Sequence, residues 1–299
     1  MRVVQAKMGK PNYSFNLLDY ILLLITMMVI GRIYYRSSIG VNYHWNWAGA
    51  VDLIFTPSAD GSLPYFFQGI ISTLRLSIWG MAFALITGTL LGVARHAKIP
   101  LFRIPATAYI QLIRNIPPLV FVFIFYFFIS NQLIPLLGLD NLLRNHNAEV
   151  SGLPYLLFGH PSLWENLLSG VLCVGLLAAA YIAEVVRSGL EGVEKGQWEA
   201  AHALGLSRWS KYRYVIAPQV LSNIAPPLAG QAISLVKDSS IVSLISIQEL
   251  TFVGTEIANS SGLIFEIWLF VGLAYLLLCL GLSLLFSKIE KKSRKHLEK

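Results

Sequence analysis

Runs of about 20 residues that are almost free of charge, separated by short basic segments, dominate this sequence. A helix that crosses ~30 Å of hydrocarbon needs about 20 mostly apolar residues, so the pattern is that of a polytopic helical membrane protein. A soluble chain with a large core would interleave charge every few residues along amphipathic helices. Composition agrees, since 13% of the 299 residues are charged, 55% are apolar, and the mean hydropathy is +0.61. Soluble domains carry roughly 25% charged residues, so about half of the usual charge is missing.

Six segments have the length and polarity of a span. The first runs from Leu17 to Tyr35, with Asp19 at one end and Arg32 near the other. No small-residue cleavage site follows it, so it reads as a span and not as a signal peptide. The others run from Tyr65 to Val93, Ile104 to Ile129, Leu163 to Val186, Tyr214 to a break at Lys237, and Ile264 to Phe286.

Lysine and arginine set the expected orientation, because cytoplasmic loops retain them. With the N-terminus inside, segments 1–18, 95–107, 187–213 and 287–299 hold seventeen of the 23 basic residues. Outside segments hold only Arg32, Arg36 and Arg144, while Arg75, Arg114 and Lys237 fall within spans. Both termini are then cytoplasmic, which six crossings satisfy. The net charge of +7 lies beside apolar segments and so reflects membrane orientation, with no nucleic-acid partner implied. Cys173 and Cys279 lie in apolar stretches and read as packing residues. Trp45, Trp47, Tyr65 and Trp164 have the character of interfacial anchors. Residues 131–162 form an external connection with apolar pieces suited to the bilayer surface.

The segment between the fourth and fifth spans reads Gly196-Gln197-Trp198-Glu199-Ala200-Ala201-His202-Ala203-Leu204-Gly205-Leu206-Ser207. Residues 197–204 are all helix-compatible, with three alanines of the highest propensity. Gly205 is placed to end that helix in a left-handed conformation, and Ser207 to cap a second one. The alanine face permits close approach of another protein, with Trp198 and Leu204 as anchors. On physical grounds alone, an ordinary helical loop lying on the membrane fits equally well.

Glu199-Ala200-Ala201, then Gly205, then Ile216-Ala217-Pro218 resembles the EAA loop of ATP-binding cassette importer permeases. Ala217 stands where leucine often precedes the proline. The likeness extends from Gly69 to Phe286. Gly69 with Thr73-Leu74 and Ser77, and Arg114-Asn115-Ile116-Pro117-Pro118, are similar to family segments. Tyr181 to Gly189 running into Gly196-Gln197, Pro226-Pro227-Leu228, Lys237-Asp238-Ser239-Ser240 and Glu249-Leu250 are similar to the polar and general amino-acid branch in particular.

The resemblance implies an all-α polytopic membrane protein with six transmembrane helices, a five-helix type I importer core plus one N-terminal helix. Residues 1–64 would hold the N-terminal tail, the extra helix and an external linker; 65–287 the permease core; 288–299 a basic cytoplasmic tail. It also implies that residues Gly196 to Ala201, with Leu204 and Gly205, form a coupling helix that docks on a separate ATPase subunit. ATP and Mg would sit on that ATPase, with no cofactor on this chain. The further implied partners are a second permease subunit, identical or similar, an extracytoplasmic binding protein and an amino-acid substrate. The location would be a bacterial inner membrane.

Charged side chains at a helix centre cost about 2.5–3.5 kcal/mol and call for partners. Arg114 and Glu184 approach the same leaflet and are expected to pair, holding the core helices in register; a substrate role is the competing reading. Lys237 and Asp238, ahead of Ser239, Ser240 and Ser243, mark the break in the fifth span. Broken helices expose backbone groups to a water-filled path, so this segment either lines the route of a zwitterionic amino acid or holds a mutually neutralised pair. Glu249 is expected near the outer surface, where it is a candidate for the path or gate and contact with a binding protein fits equally well. Gly88-x-x-x-Gly92 is a helix-contact pattern. His96 and His202 lack metal-ligand spacing, so no metal site is expected.

No phosphate-binding loop, nucleophile elbow or paired-carboxylate cluster occurs in the sequence, so the chain is expected to be no enzyme in itself. A secondary transporter of small polar solutes is the alternative, and an integral-membrane enzyme a more distant one. The identity of the amino acid is not legible, with acidic or other polar side chains suggested by subfamily likeness alone.

Overall fold

The structure, a computed structural model, describes residues 16–40, 43–57, 62–136, 138 and 152–297, and every regular element among them is helical. The tail 1–15, Arg144 and the middle of the expected external connection, residues 139–151, lie outside the described residues. Compactness divides the chain after Trp45.

The first unit, Met1–Trp45, contains α1 (Leu17–Gly40). Asp19, which interrupts the apolar run in the sequence, has a structural use there. Its carboxylate accepts the backbone N–H of Asn16 at 2.8 Å, closing the helix start in the manner of a capping box.

The second unit, Asn46–Lys299, contains α2 (Trp47–Phe55), α3 (Tyr65–His96), α4 (Pro100–Asn115), α5 (Pro118–Leu136) and a short α6 (Leu153–Phe158). It continues with α7 (Trp164–Glu191), α8 (Lys195–Ala203), α9 (Arg208–Ile245), α10 (Leu250–Ser261) and α11 (Ile264–Leu297). Among the described residues six runs are long and apolar enough to cross a membrane: α1, α3, α5, Leu153–Glu191, α9 and α11. Five of them belong to the second unit, the expected core with one helix added before it.

The third span starts later than expected. Residues 104–129 are not one helix, because α4 ends at Asn115 and α5 begins at Pro118. Proline disfavours the helical conformation in the residue before it, and both Ile116 and Pro117 are extended, each with ψ 135°. Arg114 therefore lies at the end of α4, outside the span. The α4 helix buries Ala106, Ile110 and Ile113 against the bundle and leaves Leu101, Ile104 and Leu112 exposed.

The pair α3 and α7 forms the centre of the bundle, and glycine permits its close approach. A Cβ on Gly88 would stand 2.8 Å from Ile182 and 2.9 Å from the Ala179 carbonyl oxygen; on Gly92 it would stand 2.6 Å from that of Ala183. The Gly88-x-x-x-Gly92 pattern is thus a contact face. Around this pair gathers the larger apolar cluster, which includes Leu76, Phe125, Ile182, Ile216 and Leu235. A second cluster joins α2, the start of α3, α10 and α11 through Ile54, Phe66, Leu250 and Ile267. Segment 46–55, expected as part of an external linker, packs into this cluster. Asn46 caps α2, and its own N–H donates to the buried Glu266 at 2.8 Å.

Arg75, an unexplained charge in a span, also finds its partners. Its guanidinium donates to the carbonyls of Leu156 at 3.0 Å and Tyr155 at 3.1 Å, and Trp79 Nε1 donates to that of Leu157 at 3.0 Å. The carbonyls of Leu156 and Leu157 belong to the last turn of α6, where helical partners run out, while that of Tyr155 also accepts the Gly159 N–H at 2.8 Å. Trp164, expected as an interfacial anchor, donates internally to the Gly159 carbonyl at 3.1 Å.

Candidate functional site

The segment from Lys195 to Ser210 folds as its composition dictates. Gly205 adopts φ +70°, and the N–H groups of Gly205 and Leu206 return to the carbonyls of His202 at 2.9 Å and Ala201 at 3.3 Å. This pair of bonds is a Schellman closure, which satisfies the last carbonyls of α8. Ser207 caps the next helix by accepting the Ser210 N–H at 3.1 Å.

The face of α8 turned away from the bundle carries Gly196, Gln197, Glu199, Ala200, Ala203 and Leu204, with Leu204 77% exposed. Ala201 is buried. Trp198 differs from expectation, because its ring packs inward, edge-on to Tyr212 with centroids 5.4 Å apart. It anchors α8 to its own chain. Gln197 joins this attachment by accepting from Gln219 Nε2 at 3.3 Å. Both Tyr212 and Gln219 belong to α9, so α8 is fixed to the beginning of that helix.

The far end of α9 is where regular backbone fails. The α-helical stretch Ala217–Asp238 passes into a 3₁₀ stretch, Ser239–Ile245, and ends at Ser246 with φ 61°. Ser239, Ser240 and Ser243 each donate to the carbonyl three residues earlier, at 2.7–2.8 Å, which stabilises the tightened turn. Ser239 is fully buried. Lys237 is exposed and Asp238 half-buried; among the described residues the two form no ion pair, as adjacent helical positions diverge.

Glu249 differs from the expected binding-protein contact. Its side chain is fully buried, so it offers no surface to a partner. The carboxylate caps α10 by accepting the Phe252 N–H at 2.9 Å, and it accepts the Tyr275 hydroxyl at 2.5 Å and the Thr73 hydroxyl at 3.4 Å. Thr73 in turn accepts the Leu250 N–H at 3.0 Å. Burial pushes the Glu249 carboxyl above its ordinary value, and the hydrogen bonds from Thr251, Tyr275 and Phe252 only partly oppose this. A cavity of about 30 Å³ between Arg75, Asn166, Gln248 and Glu249 has room for a water or two.

Glu184 and Arg114 do approach, at 3.6 Å, but closer partners flank them. Arg187 Nη2 lies 2.6 Å from Glu184 Oε1, and Arg95 pairs with Glu184 Oε2. Arg187 also pairs with Glu191. One carboxylate thus joins α3, α4 and α7. The Arg187 contact was legible as an i, i+3 pair, whereas Arg95 carries no signal along the chain.

The family described as "Binding-protein-dependent transport system inner membrane component" matches residues 84–295. The "Probable amino-acid ABC transporter permease protein YckA" of Bacillus subtilis (strain 168) is 34% identical, over 81% of this chain and 94% of the relative. The "Glutamate/aspartate import permease protein GltK" of Escherichia coli O6:H1 is 27% identical, over 84% and 99%. A solved structure titled "Crystal structure of an amino acid ABC transporter with histidines" superposes with a TM-score of 0.65 at 26% identity, covering 84% of this chain and all of that one. With its helical bundle, its exposed α8 and a match over most of its length, the chain belongs to the family of binding-protein-dependent transport system inner membrane components and is an integral membrane protein.

Proposed function

We propose that the chain is the permease subunit of an ATP-driven importer for amino acids with acidic or other polar side chains. A separate ATPase, carrying ATP and Mg, docks on α8 through Gly196, Glu199, Ala200, Leu204 and Gly205. Two permease subunits enclose the path, and an external binding protein delivers the substrate. The relatives named for amino-acid and for glutamate/aspartate import support the substrate class.

One observation carries this reading: α9 begins at the attachment of the exposed α8 and ends in the irregular segment 239–249. A displacement of α8 by a nucleotide-driven partner therefore reaches Lys237 and Asp238 along a single continuous element. Irregular backbone within a membrane persists only where protein buries it or a cavity receives it, which suits a gate. The chain forms no covalent bonds; its work is a difference in stability between inward-facing and outward-facing arrangements. The segments 187–213 and 287–299 face the cytoplasm, as their basic residues indicate.

The test is co-purification. Wild type retains an ATPase subunit, and Glu199→Lys or Gly205→Glu loses it while the permease stays folded. ATP-independent uptake by the purified chain, or retention of the ATPase in both variants, overturns the reading.

A further inference from the structure

The turn between α3 and α4 and the last turns of α7 enclose a second polar feature, separate from the exposed face of α8. A cavity of about 400 Å³ is lined by Arg95, His96, Lys98, Arg103, Thr107, Arg187 and Glu191. Four cations thus meet one carboxylate. Glu184, behind the wall, engages Arg95 and Arg187 and fixes their positions. Lys98 and Arg103 are exposed and, among the described residues, form no ion pair. Arg103 and Thr107 are four residues apart and so share one face of α4.

An opening of this kind recognises a phosphate group. Arginine forks match phosphate oxygens, and the start of α4 adds the positive end of its helix dipole, with no side chain capping its first turn. The adjoining surface says what is attached to the phosphate. Leu101, Ile104 and Leu112 form an exposed apolar stripe along α4, 76%, 64% and 59% accessible, and Leu90 and Val93 of α3 are exposed beside the turn. A basic hollow continuous with an apolar wall, beside the spans α3 and α7, fits a headgroup with its acyl chains.

We propose that this cavity binds an anionic phospholipid from the leaflet on the α8 side of the membrane. The phosphodiester sits among Lys98, Arg103 and Arg187, with Thr107 donating a hydroxyl, and the acyl chains follow the α4 stripe. The bound lipid thereby ties the turn 97–99 to the end of α7, next to the segment that leads into α8. Free phosphate and an acidic protein surface share part of this chemistry, and the arms of the experiment separate them.

Phosphatidylglycerol is titrated into the detergent-purified permease complex, with bound lipid counted by native mass spectrometry and phosphatidylcholine as the neutral control. The expected result is preferential retention of phosphatidylglycerol by wild type, with affinity falling about fivefold for each cation removed and about 30-fold in Lys98→Gln/Arg103→Gln. Thr107→Glu, which disturbs no ion pair, lowers phosphatidylglycerol binding and leaves phosphatidylcholine unchanged. Equal affinity of wild type for the two lipids overturns the proposal, as does unchanged phosphatidylglycerol binding in Thr107→Glu. Inorganic phosphate competing as well as the whole lipid overturns it in favour of a soluble anion. Loss of a co-purifying subunit from the double variant with lipid binding intact overturns it in favour of a protein contact.

Discussion

Arg95 at the end of α3 and Glu184 in α7, 89 positions apart, form an ion pair, and the same carboxylate also holds Arg114 and Arg187. Among the described residues, removing this one acid leaves Arg95 and Arg114 without an ion-pair partner, while Arg187 keeps Glu191. Glu184→Gln is expected to destabilise the protein by about 2 kcal/mol, the size of a charge-assisted bond. Arg95→Met costs more than Arg114→Met, because Arg114 stands farther away and is 40% exposed, where a pair contributes under about 1 kcal/mol. Thermal unfolding of the purified variants gives the ranking, and the reverse order would sink it.

The approach of α3 and α7 sets a second expectation. Gly88→Ala and Gly92→Ala place a methyl group against Ile182 and against the carbonyls of Ala179 and Ala183. Carbonyls of a packed helix cannot rotate aside, so each substitution costs about 1–3 kcal/mol. Gly281→Ala, with nothing within 4 Å of the new methyl, serves as the comparison and stays near wild type. Melting temperatures of the three variants check this.

Lys237 is expected to matter for transport and not for assembly. Its side chain is exposed at the end of the regular part of α9 and has no ion pair among the described residues. Lys237→Met should lower uptake in reconstituted vesicles while leaving the ATPase bound. Wild-type rate and affinity in this variant would remove Lys237 from the path.

Glu249 gives a pH dependence whose sign follows from its burial. A carboxyl raised on folding is favoured when protonated, so its contribution is most favourable below the unfolded value of 4.5 and declines as pH rises through the folded one. Glu249→Gln removes that titration. The stability of wild type relative to this variant is therefore expected to fall as pH climbs above 4.5, followed by thermal unfolding across a pH series. A constant difference over that range would contradict the assignment.

Local signals account for what could be read from residues alone. Gly205 and Ser207 were legible because a left-handed C-cap and a hydroxyl N-cap depend on a handful of neighbours. The limit of such signals shows at Ile104, where the apolar residues of α4 run on along the chain into those of α5. Only the Pro117-Pro118 step separates the two, and the amphipathic helix before it turns Leu101, Ile104 and Leu112 outward. Trp198 shows the same limit in reverse, since a large ring on an alanine-rich helix suits docking on a partner or on its own chain equally well.

By itself the sequence determined that this protein is a helical bundle in a membrane, how many spans it has and which segment resembles a coupling loop. Each follows from bilayer thickness or from residues a few positions apart. Tertiary structure alone decided that Glu249 is buried under Tyr275 and Thr73, that Arg75 holds the end of α6, and that Glu184 serves three arginines. Those partners lie up to 176 positions away, and which helix faces which depends on packing at sites such as Gly88 and Gly92, where a single methyl group changes the distance.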